Sequence, residues 1–206
     1  MSLKQLCGVS MLACALSSPG VASAADLSVS GQVRADSACS IALGNGGVVD
    51  LGTISSKNLQ EADETTFNSN MPFGVHCQAP TKVAFRLLDN RAGTSTYHNM
   101  FGLGASGGKN VGAVALALDE IFGDGAKLTH LAYWNGGNGW GQGWGGIKAE
   151  DILLSSWAEP GQSSPQAYQN IDSSLGFYTR IAPAKDLDLS QEIAIDGSIT
   201  MELVYL

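Results

Sequence analysis

Several groups of residues in this chain have types and spacings that could do chemistry. Gly102-Leu103-Gly104-Ala105-Ser106-Gly107 matches the dinucleotide pattern G-x-G-x-x-G, and the acids Asp119 and Glu120 follow it. That chemistry needs a helix after the loop, whose N-terminus holds the pyrophosphate. Gly108, Gly112 and the alternation of Val114, Leu116 and Leu118 predict a strand there instead. Gly104-Ala105-Ser106-Gly107-Gly108 also satisfies G-x-S-x-G, but a nucleophile elbow is a strand-turn-helix, and no helix-forming segment follows. His76, His98 and His130 are candidate bases. His76 and His130 lie in strand-like runs, where a surface or internally satisfied ring is the commoner use. Glu150-Asp151 offers two acids for glycoside hydrolysis, yet neighbours on a strand point to opposite faces. His76 adjoins Cys77, but no second Cys or His stands at metal-ligand spacing. The residues therefore read as a chain without catalysis, cofactor or metal.

Two features remain with chemical content. Trp134, Trp140, Trp144 and Trp157 crowd into one region, with Trp140 and Trp144 set among glycines. Their faces could stack on a sugar ring while Asn135, Asn138 and Gln142 bond its hydroxyls. The competing and preferred reading has Trp140 and Trp144 folding back over one end of a core, since large aromatics bury 150–250 Å² each. The second feature is Cys39 and Cys77. Two cysteines in a secreted chain most simply pair. Two separate buried thiols are the alternative.

Secretion is read from the first 24 residues. Lys4 precedes a short apolar run, Leu6 to Leu16, and Ser17-Ser18-Pro19-Gly20 breaks it. Ala22-Ser23-Ala24 then supplies the small residues a signal peptidase requires. The run is too short to span a hydrocarbon core, which needs roughly 20 residues. Met11-Leu12-Ala13-Cys14 is a loose lipobox, and the Ala-x-Ala site downstream outweighs it. The expectation is a cleaved leader, residues 1–24, and one mature domain, residues 25–206. Cleavage also removes Cys7 and Cys14 and leaves Cys39 and Cys77.

The elements that must position these residues are strands. Leu27, Val29, Gly31 and Val33 alternate with polar residues. So do Phe73, Val75 and Cys77; Val83, Phe85 and Leu87; and Leu175, Phe177, Thr179 and Ile181. Val114, Leu116 and Leu118 alternate with alanines, which predicts a strand covered on both faces. Such alternation marks half-buried strands. Gly44-Asn45-Gly46-Gly47, Asp89-Asn90, Gly123-Asp124-Gly125 and Asp196-Gly197 separate them as turns. Asn58–Asn70 reads as a solvated acidic loop, Asn135–Gly146 as a low-complexity loop, and Glu159–Gln169 as a Pro/Ser/Gln loop. Glycine, 26 of 206 residues, leaves no long helical stretch after the leader. The net charge of −8 supplies no electrostatic footprint for nucleic acid or an anionic membrane. The fold class is all-β, a sandwich of short strands.

The clearest alternation comes last. Ile199, Met201, Leu203 and Tyr205 fall on one face, with Thr200, Glu202 and Val204 on the other. A final strand at a sheet edge offers its backbone to a partner strand. A final strand inside the sheet merely closes the sandwich.

Several segments in order give a family resemblance: Leu27–Val33 leading to Cys39, Gly47–Ile54, Cys77–Val83, Asp89–Thr94, Phe101–Gly104, Leu187–Ser190, Asp196-Gly197 and Leu203–Leu206. Together they resemble a proteobacterial family of unknown function from periplasms and fimbrial gene clusters, which includes GltF-like proteins. The paired cysteines and terminal aromatic are similar to those of chaperone-usher pilus (fimbrium) subunits. The resemblance implies an Ig-like, pilin-type sandwich in the periplasm or on the surface of a Gram-negative bacterium. It implies a role in cell adhesion, with a periplasmic chaperone, an usher and other fimbrial subunits as partners. The chaperone strand would pair at Ile199, Met201, Leu203 and Tyr205. One departure is visible. A polymerising pilin donates an extension that precedes its first strand, whereas Leu27–Val33 already looks like the first strand here. Two readings therefore stay open: a specialised end subunit, and a self-sufficient periplasmic binding protein with carbohydrate as its candidate ligand.

Overall fold

Runs in which Val, Ile, Leu, Phe and Thr recur at every second position form strands, because alternate side chains then share one face. The computed structural model describes residues 38–206. The expected leader, residues 1–24, and the expected strand Leu27–Val33 lie outside the described residues. The chain first forms β1 (Cys39–Leu43), β2 (Thr65–Thr81) and β3 (Val83–Asp89). Short pieces β4 (Phe101–Gly102), β5 (Ala105–Ser106) and β6 (Lys109–Asn110) precede the long β7 (Gly112–Gly123). Next come β8 (Ala126–Lys127), β9 (Thr129–Trp134), β10 (Trp140–Gln142), β11 (Gly146–Ile147) and β12 (Ile152–Ala158). The order finishes with β13 (Tyr168–Ile181) and β14 (Ile199–Tyr205).

Two main antiparallel sheets result, beside the two-stranded β5-β6 pair. One runs β1-β2-β13-β7-β11, with β4 and β8 beside β7; the other runs β10-β9-β12-β3-β14. A single residue, Lys82, separates β2 from β3, so the chain passes from one sheet to the other within one step. The two sheets share one core. Phe73 of β2 meets Phe85 of β3 at 5.5 Å between ring centroids, and Phe85 stacks on Trp157 of β12 at 6.1 Å. Val75, Leu116, Leu118, Ile171 and Leu175 fill the space around these rings. The architecture is all-β and sandwich-like.

Cys39 and Cys77 are bonded as a disulfide. They are direct register partners across β1 and β2, so the bond fastens an edge strand to its neighbour. By the chain-entropy argument, closing a loop of this length contributes about 4 kcal/mol.

The structure corrects three expectations. Asn58–Asn70 is not all loop, because β2 begins at Thr65. Residues from Thr65 to Asn70 pair with β13 from Ile181 back to Gly176. The β-forming Thr65, Thr66 and Phe67 and a complete ladder outweigh the polar composition. The alanine face of β7 is only partly covered: Ala113 is buried, but Ala115 and Ala117 are half-exposed. The third correction concerns the tryptophans. Trp157 alone belongs to the core, and Trp144 is 90% exposed.

Candidate functional site: an open sheet edge beside an apolar groove

Strand β14 pairs with β3 through a full antiparallel register, from Ile199 opposite Asp89 to Tyr205 opposite Val83. It is the terminal strand of its sheet, and no other described strand pairs with its outer side. In an antiparallel ladder, alternate residues turn their N–H and C=O groups away from the partner. One side of β14 therefore presents backbone groups along its length.

The apolar face of β14 points to the gap between the sheets. Ile199, Met201 and Leu203 are half-buried against the core. The fourth member of the alternation differs. Opposite the buried Val83 of β3, Tyr205 is 54% exposed. Its hydroxyl oxygen instead accepts the Cys39 N–H at 2.9 Å. That bond ties the edge of one sheet to the edge of the other, right beside the disulfide. On the opposite face of β14, Glu202 pairs with Arg86 at 2.6 Å, with both side chains well exposed.

Beyond that closed corner the space between the sheets widens into a groove of about 930 Å³. Inward residues of both sheets line it, among them Met71, Leu116, Leu175, Leu87, Ile199 and Met201. It is thus a gap in the core itself. Two irregular segments flank it, residues 48–55 and 187–198, and neither forms a strand. Their sequences nonetheless alternate, with Val49 and Leu51 in one and Leu187, Leu189, Ile193 and Ile195 in the other. The second segment is clamped at its end. Arg91 donates to both Asp196 carboxylate oxygens at 2.9 Å, and the Asp196 N–H donates to the Leu103 carbonyl at 2.9 Å.

The remaining motifs are placed as follows. Gly104–Gly108 enters the small β5–β6 hairpin and then β7. The loop opens no helix, so it has neither the pyrophosphate-binding terminus nor the elbow geometry. His76 extends over β13 to Asn170, with Nδ1 3.2 Å from Oδ1. His98 lies exposed, 4.0 Å from Glu150. His130 is buried on β9, with Nε2 3.0 Å from Ser155 Oγ. Burial pushes its pKa down to about 4. No group of three or more His, Cys, Asp or Glu side chains among the described residues is arranged to hold a metal ion.

Sequence reasoning found β14 and its apolar face. It missed segments 48–55 and 187–198 as walls of a groove, although their own period-two alternation was visible. Of the two uses expected for His130, surface or internally satisfied, the ring has the second.

Residues 27–103 match a family model described as a protein of unknown function (DUF1120), which covers less than half of the chain. No curated protein matches the chain.

Proposed function

We propose that this chain is an exported fimbrial-type subunit that receives a β-strand from a periplasmic chaperone and, after assembly, from another subunit. The observation that carries the reading is the coincidence of β14's open edge with the apolar groove. An incoming extended segment would take hydrogen bonds from the backbone of β14 and place alternate side chains in the gap. This is β-strand addition, in which the main chain supplies affinity and pockets select side chains. The sheet order supports it. In an Ig-type sandwich one sheet is A-B-E-D and the other C-F-G. The order β1-β2-β13-β7 corresponds to the first, and β3-β14 to C-F. No described strand corresponds to G, and the groove lies where G would. Segment 48–55 would flank the incoming strand on its other side.

On this reading residues 1–24 are the cleaved leader. The family-model match at residues 27–103 spans the segments Leu27–Val33, Gly47–Ile54, Cys77–Val83 and Asp89–Thr94 and reaches into Phe101–Gly104, which are among the segments that carry the GltF-like and fimbrial resemblance. The test is deletion of Val204–Leu206, with protein levels in the periplasm measured with and without a co-expressed chaperone from a fimbrial gene cluster. Wild type should accumulate only with the chaperone, and the deletion should fail in both cases. Accumulation of wild type as a stable monomer without any chaperone would defeat the proposal.

A further inference from the structure

A second region of the molecule has the opposite character. Residues Gly143 to Gly145 form an arch between β10 and β11, with Trp144 at its crest. The Gly143 N–H donates to the His130 carbonyl at 2.9 Å, and the Gly145 carbonyl accepts the Leu118 N–H at 2.9 Å. The Gly145 N–H donates to His130 Nδ1 at 3.2 Å. That bond makes Nδ1 an acceptor, so the proton sits on Nε2 and is donated to Ser155 Oγ. Glycine is required on both sides of the crest. A Cβ at Gly143 would collide with the His130 ring, and Gly145 has φ +82° with its Cβ position against the Leu118 carbonyl. The backbone of the arch is therefore fixed at three points, while the indole it holds is 90% exposed.

A tryptophan so firmly held and so little buried contributes almost nothing to the core. It stands as a contact face. Trp134 lies beside it, with ring centroids 6.3 Å apart and planes at 58°. From Leu131 to Ile147 the chain has no charged residue, and its polar side chains other than Tyr133 and the indoles are the amides Asn135, Asn138 and Gln142. An anionic membrane or nucleic acid would call for cations here, and an anionic sugar would call for at least one. An aromatic face with uncharged donors and acceptors suits the C–H face and hydroxyls of a neutral saccharide.

We propose that the Gly143–Gly145 arch is a binding site for a neutral saccharide, with Trp144 as the stacking face and Trp134 as its neighbour. The site is independent of the strand-acceptor groove. The test uses the mature chain purified from the periplasm, with any strand partner it carries. It is applied to an array of neutral and sialylated eukaryotic glycans and neutral bacterial cell-wall oligosaccharides. Binding to neutral glycans is expected, and either the eukaryotic or the bacterial set satisfies the proposal while identifying the source. Trp144→Ala should reduce the signal at least tenfold with unchanged thermal melting, and Trp144→Tyr should keep part of it. Gly143→Ala should also lose binding, because its methyl displaces the arch. No signal on neutral glycans, signal confined to sialylated ones, or full binding by Trp144→Ala would each overturn the proposal.

Discussion

The β14 edge and the Trp144 arch are mirror cases of incompleteness. At β14 the side chains are placed and the backbone is open. At the arch the backbone is bonded on three sides and a side chain is open. The contrast shows how the kind of exposed group selects the kind of partner. Unpaired N–H and C=O groups in a row repeat along the chain direction, so what satisfies them is another extended chain. An exposed indole on a fixed backbone offers a flat apolar face, so what satisfies it is a small ring or a local contact.

The comparison is broken most severely by charging the β14 face. Leu203→Asp would force a carboxylate into apolar surroundings, and we expect the protein to vanish from the periplasm even with a chaperone present. Normal accumulation would mean that this face of β14 is not a core element. Next in size is the disulfide. Replacing Cys39 and Cys77 together by Ala should cost about 4 kcal/mol, measured by urea unfolding. Because the bond sits next to the Tyr205–Cys39 contact, the same variant should bind a chaperone strand less well.

Acid sharpens the comparison from the arch side. His130 titrates near 6.5 in the unfolded chain and near 4 in the native one. Between those values the unfolded chain binds a proton that the native chain does not. Stability therefore falls as pH drops from 6.5 to 4, by about 3 kcal/mol, and is fully restored above 6.5. Protonation of Nδ1 would also remove the acceptor for Gly145. Melting temperatures from pH 4 to 7 check this, and His130→Gln should flatten the profile. The smallest effects belong to the exposed groups. Trp144→Ala should change stability by less than about 0.5 kcal/mol, whereas the core Trp157→Ala should cost about 3–5 kcal/mol. Glu202→Ala removes an exposed ion pair and should cost no more than about 1 kcal/mol.

Strand positions were legible because period-two alternation is a local signal. Phe73, Val75, Val83, Phe85, Leu175 and Ile181 all face the core as their spacing requires. The cysteine pairing followed from the two cysteines left once residues 1–24 are read as a leader. What the sequence could not supply was adjacency. Whether β14 lies at an edge depends on β3, over a hundred positions earlier, and no local pattern encodes that order. Residues Thr65–Asn70 looked like loop because their stabilisation comes from the ladder to β13. The four tryptophans looked alike in composition. Their placement separates them: Trp157 on β12 stacks on Phe85 in the core, while Trp144 sits on the arch held by His130.

The pairing order has a consequence for how the chain acquires its shape. Strand β2 has the earlier β1 on one side and β3 gains β12 on one side, but the other side of β2 waits for β13 and that of β3 waits for β14. The Arg86–Glu202 contact between β3 and β14 spans 116 positions. Contacts so distant in sequence close slowly, because loop-closure entropy must be overcome before they form. Until β14 arrives, one edge of β3 stays unpaired, and an open strand edge is where aggregation competes with folding. The arrival of β14 thus sets the moment at which the edge of β3 is covered.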